Sequence, residues 1–211
     1  MKHITKVFIC ISFICFLSGC GSRESQAISS LEKFEQTTHD MEYSFNQIKA
    51  KEVNLQSDWE QTIADSDEEM NLFEKQEGPV FENIKDRSDQ LKNIHVPHKL
   101  LLKAIKKLKA IESDQTKGAS KADVSALIFQ LKDLEEKIAT FDEAYEKQLV
   151  KEQHFFAHLA NQDIKFKEFN KELNQLNKEA HQTKEQLLAI ESSLRDLQNP
   201  IRQLHDGLVN P

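Results

Sequence analysis

Apolar residues along this chain recur at alternating gaps of three and four, the spacing of helices that bury one stripe against a partner. The clearest run is Phe169, Leu173, Leu176, Ala180, Thr183, Leu187, Ile190, Leu194, Leu197, Ile201, Leu204 and Leu208. Only Thr183 breaks its apolar character, and a strict 3.5-residue repeat of this kind predicts left-handed supercoiling. A second seam, Val124, Leu127, Leu131, Leu134, Ile138, Phe141, Tyr145, Gln148, Glu152, Phe155 and Leu159, turns polar at Gln148 and Glu152. Those two predict a partly exposed polar layer that fixes register; the sharper reading makes Glu152 a buried ligand-binding group. A third runs through Leu31, Phe34, Thr38, Met41, Phe45, Ile48, Glu52, Leu55 and Trp59. Ser29 and Glu32 form a capping-box pattern, which predicts a helix start near Ser30.

The remaining helix is read from Phe81, Ile84, Ser88 and Leu91, then Leu101, Ile105 and Leu108, with Gly78-Pro79 as the breaker before it. Pro97 falls inside this run and is expected to kink or interrupt it, because proline removes a donor and crowds the preceding turn. A loop is expected over residues 116–120, with Ser120 and Asp123 capping the next helix. Near Asn161 there is no Gly or Pro, so the two helices flanking it are either separate or one rod. The seams on either side are out of phase, which favours a turn capped by Asn161 or Asp163. The predicted fold class is therefore all-α: an elongated antiparallel helical bundle of three to four long coiled-coil-like helices.

The amino terminus departs from this pattern. Lys2 and Lys6 precede the apolar stretch Val7–Leu17, which is too short for the roughly 20 residues of a membrane span. It fits a secretory signal. The stretch ends in Leu17-Ser18-Gly19-Cys20, the pattern of a bacterial lipobox. Cys20 is the residue that would carry diacylglycerol and become the new amino terminus. An ordinary secretory signal ending in Cys is the alternative. The expected organisation is a lipoprotein signal peptide over 1–19, a lipidated flexible tether over 20–27 and a helical bundle domain over 28–209. The expected location is the extracytoplasmic face of the cell membrane, held there by lipid.

Composition narrows the function. The chain has 211 residues but only five Gly and four Pro, too few for Gly-rich nucleotide loops or the turns of a β-sandwich. All three cysteines, Cys10, Cys15 and Cys20, lie in or beside the signal. The mature part therefore offers no disulfide, no thiol nucleophile and no Cys-ligated zinc. Without Lys2 and Lys6 it holds 26 basic residues against 35 acidic, a net charge of −9. That balance argues against nucleic acid as a partner.

Candidate chemistry is sparse. His154 and His158 stand one helical turn apart and are weak candidates to share a metal; solvent-flanking histidines are the plainer reading. His95 and His98 flank Val96-Pro97 and read as surface or capping groups. Lys99, Lys103, Lys106, Lys107 and Lys109 form a basic run free of acids, which fits either an anionic polymer or membrane surface or simply a solvated helix face. Phe129 and Phe155-Phe156 read as pairing residues between helices or as a contact patch. No Ser/His/Asp order is recognisable, no cofactor is implied, and catalysis is not expected.

The lipobox, the acidic helical body and the stretch from Tyr145 to Leu159 (YEKQLVKEQHFFAHL), followed by Asp163 and Lys167-Glu168-Phe169, resemble the YkyA-type family of cell-wall-binding lipoproteins. The resemblance spans most of the mature chain. It implies a helical bundle, an extracytoplasmic lipoprotein and a binding role at the cell wall, and it transfers no ligand residues. The expectation is a non-catalytic binding module, with the membrane met through the modified cysteine and a cell-wall polymer or an envelope protein as partner. The alternative is a structural or assembly coiled coil that self-associates or binds a protein; the oligomeric state is open.

Overall fold

A computed structural model describes residues 23–66, 70–112, 120–160 and 165–209. Among them there is no strand, and four long helices pack against one another. They are α1 (Arg23–Asp65), α3 (Pro79–Glu112), α4 (Lys121–His158) and α5 (Phe166–Val209), with a short α2 (Asn71–Lys75) after α1. The signal peptide, the lipobox residues Leu17, Ser18 and Gly19, and Cys20 lie outside the described residues, as do Asn161 and Asp163. No described helix is long and apolar enough to cross a membrane.

Cross-helix pairs fix the directions. Gln26 meets Lys107 and Lys51 meets Asp86, so α1 and α3 are antiparallel. Ser125 bonds Glu112 and His95 bonds Asp142, which makes α4 antiparallel to α3. Gln148 meets Thr183 and Lys137 meets Ser193 across α4 and α5. Glu32 with His205 and Lys49 with Glu191 bring α5 back against α1. α1 is 43 residues long, so the bundle extends about 65 Å at 1.5 Å per residue.

The core follows the seams. From Val124 to Phe155 every predicted α4 position is buried, including the two polar ones. In α5 burial begins only at Thr183 and continues to Leu208; Phe169, Leu173 and Leu176 are half-buried. Phe45 meets Phe141 edge-on at 5.7 Å, and Phe73 of α2 packs beneath Phe81 at 6.1 Å, closing one end of the bundle.

Several expectations are corrected. α1 begins at Arg23 rather than near Ser30, so residues 23–27, expected in the flexible tether, are helical. Ala27, fully buried, extends the Leu31–Phe34 stripe by one more turn, and Ser29, expected as the cap, lies inside the helix, where its neighbour Ser30 bonds back to the Gln26 carbonyl at 2.8 Å. Pro97 does not interrupt α3; its ring is buried and the helix continues to Glu112. Burial of the ring adds packing that offsets part of the lost donor. The α3 seam shifts by one position, with Arg87 buried in place of Ser88. α4 and α5 are separate helices, as the phase break predicts. Ser120 caps α4 as expected, accepting from the Asp123 N–H at 3.1 Å.

Candidate functional site

The polar positions in the seams converge on one layer. Arg87 of α3 is fully buried, and its guanidinium pairs with Glu152 of α4. Its Nε donates to Asn83 Oδ1 at 2.8 Å and its Nη1 to Tyr145 Oη at 3.3 Å. Gln148 donates to Glu152 at 2.7 Å and accepts from Thr183 of α5 at 2.6 Å. Asn83 donates to Asp58 and to the Lys51 carbonyl of α1, each at 2.7 Å. All four long helices are thus tied through one chain of bonds, which satisfies charges that would otherwise be costly to bury.

The layer's electrostatics follow from burial. Desolvation alone would lower the Arg87 pKa, but the Glu152 carboxylate more than offsets it, so the guanidinium stays charged. Desolvation raises the Tyr145 phenol well above its usual range, against the pull of Arg87. Glu52 of α1 is pushed up by burial, although the Tyr145 hydroxyl and the nearby Arg87 charge work the other way.

Beside this layer α1 and the first half of α5 stand apart. A cleft of about 630 Å³ opens between them, with Glu52, Arg87, Gln148 and Glu152 among its lining groups. Its walls are mostly apolar, formed by Leu55, Trp59, Phe155, Phe156, Leu173 and Leu176. Trp59 Nε1 is buried with no hydrogen-bond partner among the described residues. Lys184 and His181 stand exposed at the rim. Among the described residues no Ser, Thr or Cys lines this space. Apolar walls with a few fixed polar groups at one side are what an amphiphilic ligand needs.

Sequence reasoning found part of this. It singled out Gln148 and Glu152 as breaks in their seam, and counted Glu52 only as a position of the α1 stripe. Its preferred reading of Gln148 and Glu152 as a partly exposed layer is corrected, since both are buried. Arg87 was missed. Its signal was available, for Arg87 lies three residues beyond Ile84 and four before Leu91, continuing the stripe that Ser88 had been assigned to.

The other candidates lie apart. The His154 and His158 rings are 5.9 Å apart, and His158 Nδ1 lies 3.6 Å from Glu172. Among the described residues no group of three or more His, Cys, Asp or Glu side chains is placed to hold a metal ion. His95 and His98 pair across to Asp142 and Glu135 of α4. Lys99, Lys103, Lys106 and Lys109 are exposed on α3, and Lys107 donates to Gln26 at 2.6 Å. Phe155 and Phe156 are buried in the bundle, whereas Phe129 is exposed.

Comparison with curated proteins and with solved structures returns no match. The family model YkyA, described as "Putative cell-wall binding lipoprotein", matches residues 22–204, from the first turn of α1 almost to the end of α5. The chain belongs to that family.

Proposed function

We propose that the protein is a non-catalytic binding module for the cell wall, held at the extracytoplasmic face of the membrane by lipid on Cys20. The observation that carries this reading is the position of the cleft. Gln26, near the start of α1, meets the far end of α3, whereas Trp59 lies 33 residues further along the same helix. At 1.5 Å per residue that is about 50 Å. A chain tethered through its amino terminus therefore carries an open, apolar, polar-floored cleft well away from the tether. The family description supports the wall as the partner.

The test is co-sedimentation of the mature protein with isolated cell walls. The protein is expected in the pellet. An Ala180→Trp variant, which places a bulky ring in the cleft, is expected to pellet at least tenfold less. Wild-type protein remaining in the supernatant would overturn the reading. In cells, Cys20→Ala is expected to release the protein into the medium, and retention of that variant at the membrane would exclude the lipid anchor.

A further inference from the structure

One helix face opposes the charge of the whole molecule. On α3, Lys85, Lys92, Lys99 and Lys106 recur every seven residues, and all four are exposed. A heptad interval keeps a side chain on the same face of a helix in a left-handed bundle. The four therefore form one straight row on the outside of α3, with about 10 Å between neighbours and about 32 Å from end to end. Lys103 and Lys109 are exposed beside it. Lys99, Lys103, Lys106 and Lys109 form no ion pair with any described residue, and Lys92 is shared with Asp89 at 2.8 Å. On a molecule of net negative charge, such a row is a local positive surface with the shape of a linear anion. The core seams do not explain it, because every one of these side chains points away from them.

We infer that this ridge binds a linear phosphate-bearing polymer laid along α3. The inference rests on the wall-binding reading and adds the ligand class of a second contact, separate from the cleft. The shape of the basic surface selects a strand over a sheet of charge. The ridge is one helix wide, and both flanks are acidic. Asp142 and Glu135 of α4 lie on one side, held by His95 and His98; Asp86 lies on the other, paired with Lys51 of α1. A flat anionic membrane that met the whole ridge would also meet these carboxylates and an acidic body of 35 Asp and Glu. A flexible strand can follow the lysine row, where the one carboxylate it passes is Asp89, already held by Lys92. Spacing along the ridge also allows several phosphates to be bound at once, so that a weak contact at each lysine multiplies along one chain.

The test titrates the mature protein with inorganic polyphosphate, with orthophosphate, and with vesicles of equal phosphatidylglycerol and phosphatidylcholine. Polyphosphate is expected to bind, and a fourfold rise in salt is expected to weaken that binding by roughly a hundredfold if about five charges are engaged. The variant Lys85→Gln, Lys92→Gln, Lys99→Gln, Lys106→Gln is expected to lose at least tenfold in affinity and to flatten the salt dependence. A control of equal charge, Lys147→Gln, Lys167→Gln, Lys171→Gln, Lys178→Gln, removes exposed lysines of α4 and α5 and is expected to bind as wild type. Equal loss in the control would overturn the ridge, since only net charge would then matter. Vesicles bound as tightly as polyphosphate would overturn it in favour of a lipid surface, and orthophosphate bound as tightly would exclude the extended contact. Walls stripped of phosphate polymer separate the two readings. Retention on stripped walls with unchanged polyphosphate binding by the ridge variant sinks the ridge and leaves wall binding standing. Polyphosphate binding by the ridge in a protein that pellets with no wall preparation sinks wall binding alone.

Discussion

Arg87 has no exposed surface, yet it carries a full charge in the centre of a hydrocarbon seam. Glu152, with 5% of its side chain exposed, is its counter-ion. Isolated charges at such a depth are costly, and the mutual attraction of a buried pair does little more than offset the cost of desolvating it. The asymmetry is testable. Arg87→Met or Glu152→Leu alone leaves one charge unpaired and is expected to cost about 3–5 kcal/mol in urea unfolding. The double variant is expected to recover most of that loss. Single variants within about 1 kcal/mol of wild type would mean that water reaches the pair through the cleft and that the layer contributes little to stability. Tyr145, Gln148 and Thr183 gain their partners from three different helices, so the layer specifies register as well as satisfying charge.

At the scale of elements, the junction between α1 and α3 is the tightest constraint. Gly78 has φ +95°, a conformation that residues with a Cβ rarely adopt. A Cβ there would stand 3.1 Å from Thr62 Cγ2 and 3.3 Å from its Oγ1. That same Oγ1 accepts the Val80 N–H at 3.0 Å, so a buried residue of α1 supplies a partner for a free donor in the first turn of α3. Gly78→Ala is therefore expected to destabilise by about 1–3 kcal/mol through backbone strain and a displaced cap. Thermal unfolding measures it, and a variant as stable as wild type would show that the turn relaxes freely. The Gly78-Pro79 breaker was legible in the sequence, because both residues restrict the backbone in recognisable ways. The α2 turn was not: five residues are too short for a periodic signal, and Phe73 becomes informative only when Phe81 is packed against it.

Across the whole molecule the seams are consumed internally. α3 and α4 bury theirs, α1 does so over most of the stretch from Ala27 to Ile48, and α5 does so from Thr183 to Leu208. The half-buried part of the α5 seam, Phe169 to Ala180, lies beside the cleft or contributes to its wall rather than to an unbroken dimer face. A concentration-independent monomer is therefore expected in light scattering of the mature protein. Mass that rises with concentration would favour the alternative in which the chain is an assembly element. The bundle also separates the two proposed contacts. α3 neighbours α1 and α4, while the cleft opens between α1 and α5, so the lysine ridge and the cleft look out from different sides of the rod.

The sequence alone determined that the chain is helical and where most of each stripe lies, because a 3.5-residue repeat of leucine and phenylalanine has no other way to leave water. It also marked Gln148 and Glu152 as exceptions within that repeat. Their burial, and the identity of their partner, were decided by tertiary structure. Arg87 lies 65 residues from Glu152, and no local pattern links two charges that meet only when α3 and α4 run antiparallel in one register. The cleft is tertiary for the same reason: the α5 stripe is as regular before Thr183 as after it, and only the divergence of α5 from α1 leaves its first half uncovered.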